Sequence, residues 1–218
     1  MKKIAVILSG CGVFDGSEIH EAVLTLLHIE KLGAQYQCFA PNIEQLHVVN
    51  HFTGEVDEQS NRNVLVESAR IARGEIKDVK ELHAKEFDAL VLPGGFGAAK
   101  NLCDFAINGA DSIINSDVKN ACMQFSELNK PAAYICIAPA IIGHVYPTGT
   151  LATIGSDADT AEQINKLGAK HINCAVHDFV YDETANVIST PAYMLAGSII
   201  EANASIENTI NKLVEVIN

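Results

Sequence analysis

Apolar residues gather in short unbroken runs separated by longer stretches in which they recur at helical spacing. Lys3 to Ser9, Phe87 to Leu92 and the run from Pro131 to Cys136 are continuous and apolar, as strands buried on both faces of a parallel sheet must be. Gln35 to Ala40, Leu151 to Ile154, His171 to Tyr181 and Val187 to Thr190 are the other predicted strands. Between them, Ile19, Val23, Leu26, Leu27 and Ile29 mark a helix with Ser17 as N-cap and Gly33 as terminator. Further helices are expected over Asn63 to Arg73, Asp117 to Leu128 and Thr160 to Leu167, and over Ala192 to Ile217 with a break near Ala204. Strands alternating with helices predict a largely parallel sheet covered on both faces. No internal repeat, low-complexity segment or linker interrupts the pattern, so 218 residues are read as one domain, 1–218.

Composition narrows the function classes. The net charge of −12 and the lack of any basic run argue against a nucleic-acid or anionic-membrane surface. No apolar segment is long enough to span a bilayer. Six cysteines occur without CxxC spacing, and Met-Lys-Lys leads directly into a strand with no secretory leader. Free thiols in a reducing cytoplasm are therefore expected, although an organellar precursor trimmed ahead of this numbering would read the same way. No histidine or cysteine pattern suggests a metal site.

Three strand ends carry candidate chemistry. Tyr134-Ile135-Cys136-Ile137-Ala138-Pro139 reads as a strand, a tight turn and a helix, the construction that exposes a nucleophile at the carboxyl end of a strand. Buried structural cysteine is the alternative for Cys136. Leu92-Pro93-Gly94-Gly95-Phe96-Gly97 ends another strand; a backbone N–H there, paired with that of Ile137, would suit an oxyanion, and a tight turn is the alternative. Gly10-x-Gly12-x-x-x-Gly16 follows the first strand and precedes Glu18. Its spacing is one residue longer than the usual dinucleotide fingerprint, and the second strand ends without an acidic residue for a ribose. A structural glycine turn is favoured over a cofactor site. Glu18, in the first helical turn, is either an acid approaching Cys136 or a carboxylate favouring the positive helix end. His20 and Glu21 are placed on other faces of that helix, and no histidine is well placed as a base for Cys136.

The segments Ile7 to Glu21, Leu92 to Leu102, Cys136 to Ala140 and Thr190 to Met194 together resemble the ElbB family, a branch of the ThiJ/PfpI superfamily linked by name to isoprenoid biosynthesis. The resemblance covers essentially the whole chain. It implies a flavodoxin-like three-layer sandwich with a mostly parallel central sheet, of the class I glutamine amidotransferase-like type, and a homodimer. It implies Cys136 as elbow nucleophile, Glu18 as its acid, and the N–H groups of Gly95 and Ile137 as the oxyanion hole. It further implies a cofactor-independent glyoxalase, a lyase turning a small dicarbonyl, glyoxal, into glycolate, read in the superfamily as protein deglycation. A redox-sensing or chaperone-like binding protein using the same reactive cysteine is the alternative. Amidotransferases place a histidine and an acid after the elbow, whereas Thr153-Ile154-Gly155-Ser156-Asp157 holds no histidine, so a glutaminase triad is not expected.

Overall fold

The computed structural model describes residues 1–217. Its strands are β1 (Lys3–Ile7), β2 (Gln35–Ala40), β3 (Ile76–Asp78), β4 (Ala89–Leu92), β5 (Ala132–Ile135), β6 (Leu151–Ala152), β7 (Lys170–His171), β8 (Val180–Asp182) and β9 (Val187–Thr190). Its α-helices are α1 (Ile19–Lys31), α2 (Val64–Ile71), α3 (Phe105–Asn108), α4 (Ser116–Glu127), α5 (Ile142–Val145), α6 (Ala158–Lys166) and α7 (Ile199–Val216). Seven strands form one sheet in the order β3-β2-β1-β4-β5-β9-β8, parallel except for the antiparallel β8–β9 pair. β6 and β7 pair separately.

Alternation along the strands divides the core into two layers. Ile4, Val6, Leu8, Val91 and Ile135 face Ala22, Leu26 and Ile29 of α1 and Ile206, Ile210 and Leu213 of α7. Ile7, Leu90, Leu92 and Tyr134 face Val118, Ala121, Cys122 and Phe125 of α4. Each central strand thus supplies both faces, which is why it reads as an unbroken apolar run. The mostly parallel three-layer sandwich expected from the sequence is the fold observed.

The departures are local. β3 escapes the pattern because its three residues at the sheet margin include Lys77 and Asp78. The segment expected as one strand from His171 to Tyr181 keeps only its ends, with a turn between them in which the Asp178 N–H donates to the Ala175 carbonyl. The last helix is unbroken at Ala204 and starts later than expected. Ala192–Met194 form a 3-10 turn, and Ser198 caps α7 by accepting the N–H of Glu201. A 3-10 turn, Ala138–Ile141, follows the elbow before the short α5. In α1 the N-cap is Glu18, not Ser17; the Ser17 hydroxyl is buried and accepts from the N–H of Ser9 at 2.8 Å.

Candidate active site

Parallel register brings the chemistry to one end of the sheet. Leu92 pairs with Tyr134, and Ile135 with Thr190. One or two residues further on, Gly94, Cys136 and the Pro191–Tyr193 turn therefore leave their strands side by side. Cys136 adopts φ +63, a left-handed conformation costing a non-glycine residue roughly 1–3 kcal/mol. That turn aims its thiol into the cleft rather than along the strand. The N–H groups of Gly95 and Ile137 both donate toward its sulfur, so the two sequence-predicted donors converge on one point.

The carboxyl group on the thiol is Glu21 rather than Glu18. Glu21 is fully buried, hydrogen-bonded with Cys136, and its two oxygens accept the N–H groups of Gly94 at 3.0 Å and Tyr193 at 3.1 Å. Glu18 is held elsewhere by its capping role. Its N–H donates to Gly94 O at 2.9 Å, and its side chain folds back to accept the Glu21 N–H at 2.7 Å. One helical turn along, Glu21 points inward with Ala22, Thr25 and His28, the buried face of α1. That face carries polar residues, whereas Ile19, Val23 and Leu27 are half exposed, so an apolar stripe drawn through the latter puts Glu21 on the wrong side.

Burial raises Glu21 from the ordinary 4.5 to about 8; the N–H of Tyr193 opposes the shift and the nearby charge of Glu18 adds to it. Burial also pushes the Cys136 thiol well up, as does a charge on Glu21, against the two backbone donors. Thiol and carboxyl titrate as a pair, and burial favours the protonated form of each.

Close backbone approach explains the glycines. A Cβ on Gly94 would lie 2.3 Å from Cys136 Cβ and 2.6 Å from Glu21 Oε2. Gly95, at φ +98, would meet the Glu18 N at 2.3 Å. Gly97 would meet Gly16 Cα at 2.5 Å, and Gly16 would meet the Cys11 N at 2.3 Å. The Gly10 loop is thus packed against the Gly94–Gly97 loop, with the Gly97 N–H donating to the Gly16 carbonyl at 2.8 Å and the Phe96 N–H to the Val13 carbonyl at 2.8 Å. Its glycines serve contact between loops. Ala192, at φ +42, turns the next N–H, that of Tyr193, onto Glu21, which gives the Thr190–Met194 segment its part in the site.

A cavity of about 530 Å³ opens over Cys136, with Glu18, Gly95, Ile137 and Tyr193 in its wall. Among the described residues, no histidine lines it. His144 bonds Ser112 Oγ at 3.1 Å and His171 lies 3.2 Å from the Ile154 N, while His20 reaches only the outer side of Tyr193, its Nδ1 2.8 Å from the hydroxyl. The arrangement is a cysteine–carboxyl pair with two backbone N–H groups directed at the sulfur, without the histidine of a glutaminase. Among the described residues, no group of three or more His, Cys, Asp or Glu side chains is placed to hold a metal ion.

No family model matches the chain. It is 42% identical over 223 residues to the human "glutamine amidotransferase-like class 1 domain-containing protein 3, mitochondrial", covering 98% of this chain and 83% of that protein. It is 41% identical to the rat "ES1 protein homolog, mitochondrial", covering 98% and 84%. The chain belongs to the ES1 family of class I glutamine amidotransferase-like proteins. Among solved structures, an isoprenoid biosynthesis protein with an amidotransferase-like domain from Ehrlichia chaffeensis superposes with TM-score 0.92 at 37% identity over 100% of both chains. The ElbB-type resemblance read from the motifs is therefore borne out. A glyoxalase III from Candida albicans shares the fold, with TM-score 0.64, 14% identity, and 100% and 98% coverage. The human, rat and zebrafish members of the ES1 family are named as mitochondrial. That finding overturns the expected cytoplasmic compartment. Among the described residues, no helix of this ES1-family chain is long and apolar enough to cross a membrane.

Proposed function

We propose that the protein is a cofactor-independent glyoxalase in which Cys136 is the nucleophile and Glu21 the acid and base. The observation that carries this reading is the buried Glu21 carboxyl on the Cys136 thiol, beneath the N–H groups of Gly95 and Ile137. Transfer of the thiol proton to the Glu21 carboxylate leaves a thiolate, which attacks one aldehyde carbon of glyoxal. The carbonyl π-electrons move to oxygen, and that oxyanion lies where the two N–H groups donate. After protonation, the hemithioacetal carbon still bears one hydrogen. Glu21 removes it as a proton, giving an enediolate; the hydroxyl proton on the sulfur-bearing carbon passes to the neighbouring oxygen, and Glu21 returns its proton to the neighbouring carbon, giving a thioester and a CH2OH group. Water cleaves the thioester, releasing glycolate and restoring the thiol. One carbon is oxidised and the other reduced, so glyoxal plus water balances glycolic acid with no external oxidant.

Glycolate formation from glyoxal, followed by proton NMR, tests the activity. If both protons of the pair block attack, kcat/KM is expected to rise with pH through the Glu21 value of about 8, where the first proton leaves. The rate then levels until the thiol, pushed well above its usual value, loses the second. A rate already flat between pH 6 and 9 would remove Glu21 from the mechanism. Redox sensing at the same thiol draws less support: Cys136 is 7% exposed and its thiol is raised, whereas sensor thiols are accessible and readily ionised.

The family resemblance extends to a homodimer. The half-exposed ridge of Ile19, Val23 and Leu27 along α1 supports a second copy covering that face. Val23→Asp is expected to sediment as a monomer where the unaltered chain sediments as a dimer; a dimeric Val23→Asp protein would clear this face.

A further inference from the structure

Residues 44–63 form a flap held by the antiparallel bridges Glu44–Asn63 and Val49–Val56. The flap meets the Gly10–Gly16 loop through His51 and Val49. The tautomer of His51 is fixed by its partners. Nδ1 lies 3.0 Å from the Val49 carbonyl, which can only accept, so Nδ1 carries the hydrogen. Nε2 lies 3.2 Å from the Phe14 N–H, which can only donate, so Nε2 offers its lone pair. The ring is therefore neutral, and its side chain is 36% exposed to solvent.

A second partner stands beside the same nitrogen. Asp15 Oδ1 is 3.8 Å from Nε2. Asp15 is 1% exposed, and its Oδ2 accepts the Val49 N–H at 2.8 Å, while its Oδ1 has no hydrogen-bond partner among the described residues. A buried carboxyl oxygen left unpaired is destabilising. Gly12 leaves the ring room to move: a Cβ there would lie 2.6 Å from His51 Nε2 and 3.0 Å from Asp15 Oδ1. The other charges nearby are engaged. Asp57 and Arg62 line the same small cavity as His51. Asp57 accepts from Ser60 and Gln59, and Arg62 pairs with Glu67. On the side of Asp15, Lys100 donates to the Phe14 carbonyl, and Cys11 lies in the field of Asp15, Glu67 and Arg70. His47, on the flap itself, keeps a buried Nδ1.

We propose that His51 is a pH-operated latch on the wall of the catalytic cavity. Neutral, it holds the Phe14 N–H. Protonated by solvent at Nε2, it gives up that bond and donates to Asp15 Oδ1 instead. A shift of about 1 Å brings this pair to the distance of a charge-assisted hydrogen bond. The cavity follows because Val13 lines it and is tied to the latch through Phe14. The Phe96 N–H holds the Val13 carbonyl at 2.8 Å, Lys100 holds the Phe14 carbonyl at 2.9 Å, and His51 holds the Phe14 N–H. Protonation removes the last of these and loosens Val13 in the wall. This control of access to Cys136 is independent of which substrate the thiol turns over.

The test reads amide hydrogen exchange by NMR at pH 7.5 and 5.5, within the range in which imidazole titrates. Each rate is expressed as protection relative to an unstructured chain at the same pH. Protection of the Phe14 N–H is expected to fall about tenfold at the lower pH, the worth of one hydrogen bond. Protection of the Val49 N–H, held by Asp15, should stay. His51→Gln, whose side-chain carbonyl accepts the Phe14 N–H at either pH and which leaves His47 in place, should keep both. Equal Phe14 protection at the two pH values in the unaltered protein would overturn the latch. So would joint loss of Phe14 and Val49 protection, which means that the flap lifts as a whole. The same Phe14 loss in His51→Gln would also overturn it, by assigning the effect to another group. Access to the active site is read as the ratio of Cys136 alkylation rates by N-phenyliodoacetamide and iodoacetamide. Thiol ionisation scales both rates alike, so the ratio reports the cavity alone. On going from pH 7.5 to 5.5 it should rise at least about twofold in the unaltered protein and stay flat in His51→Gln. A flat ratio in the unaltered protein would overturn control of the cavity. The readings on the unaltered protein decide the matter even where the variant folds poorly.

Discussion

Cys136→Ser is expected to lower glyoxal turnover by at least about a thousandfold while leaving the fold intact. Serine is slightly smaller and keeps a polar hydrogen for Glu21, so the buried carboxyl retains a partner. What it loses is nucleophilicity. A serine hydroxyl next to a carboxyl near 8 has no base strong enough to ionise it. The oxyanion donors stay in place, since both are backbone N–H groups set by the Gly94–Gly97 loop and the elbow. Residual rate in this variant therefore measures what the donors and cavity achieve without a covalent step. Glycolate production at the unaltered rate would mean that the chemistry lies elsewhere in the chain.

Glu21→Gln and Glu18→Gln separate the two acids. Glu21→Gln is expected to cost about a hundredfold or more in kcat and to abolish the rise in rate near pH 8. Glu18→Gln should keep the rise in rate and move it to slightly lower pH, because a Gln oxygen can still accept the Glu21 N–H while the charge that adds to the Glu21 shift is lost. Equal losses in both variants would return Glu18 to the role that the sequence first suggested. Stability supplies a second measure. Glu21 has a folded value of about 8 against an ordinary 4.5, so the fold favours its protonated form. That contribution is complete below about 4.5 and is lost as pH rises toward 8. Stability of the unaltered protein relative to Glu21→Gln should therefore fall by about 1.4 kcal/mol for each pH unit in that window. Paired denaturant titrations at pH 5, 6, 7 and 8 would show it, and a constant difference would mean that Glu21 stays ionised in the fold.

The central strands were legible because burial on both faces leaves no room for polar residues, as Ile4 to Leu8 and Ala89 to Leu92 show. The elbow was legible for the same reason: an apolar strand runs into Cys136 and then into Pro139, which cannot continue it. Glu21 was not. Its face of α1 combines Glu21, Thr25 and His28 with Ala22, Leu26 and Ile29, so polarity there records an interior in which Glu21 and His28 are hydrogen-bonded, rather than solvent. The opposite stripe of Ile19, Val23 and Leu27 is more hydrophobic yet half exposed. Hydrophobic periodicity finds the face that avoids water in an isolated helix. It marks Leu26 and Ile29 on the inward face and passes over the polar residues beside them. The Tyr193 contact was hidden for another reason: it depends on the left-handed turn at Ala192, a residue whose side chain carries no hint of that conformation.

Gly94 acts as a gauge for the whole constellation. The hydrogen that takes the place of a Cβ is all that fits between the thiol-bearing turn and the first helix, while its own N–H and C=O are pinned to Glu21 and Glu18. Gly94→Ala would therefore have to push the helix and the elbow apart by a distance comparable to a methyl group. The thiol and the carboxyl could then no longer share a proton, even with both residues present. In this chain, the occupant of this one position decides whether the cysteine and the glutamate can touch.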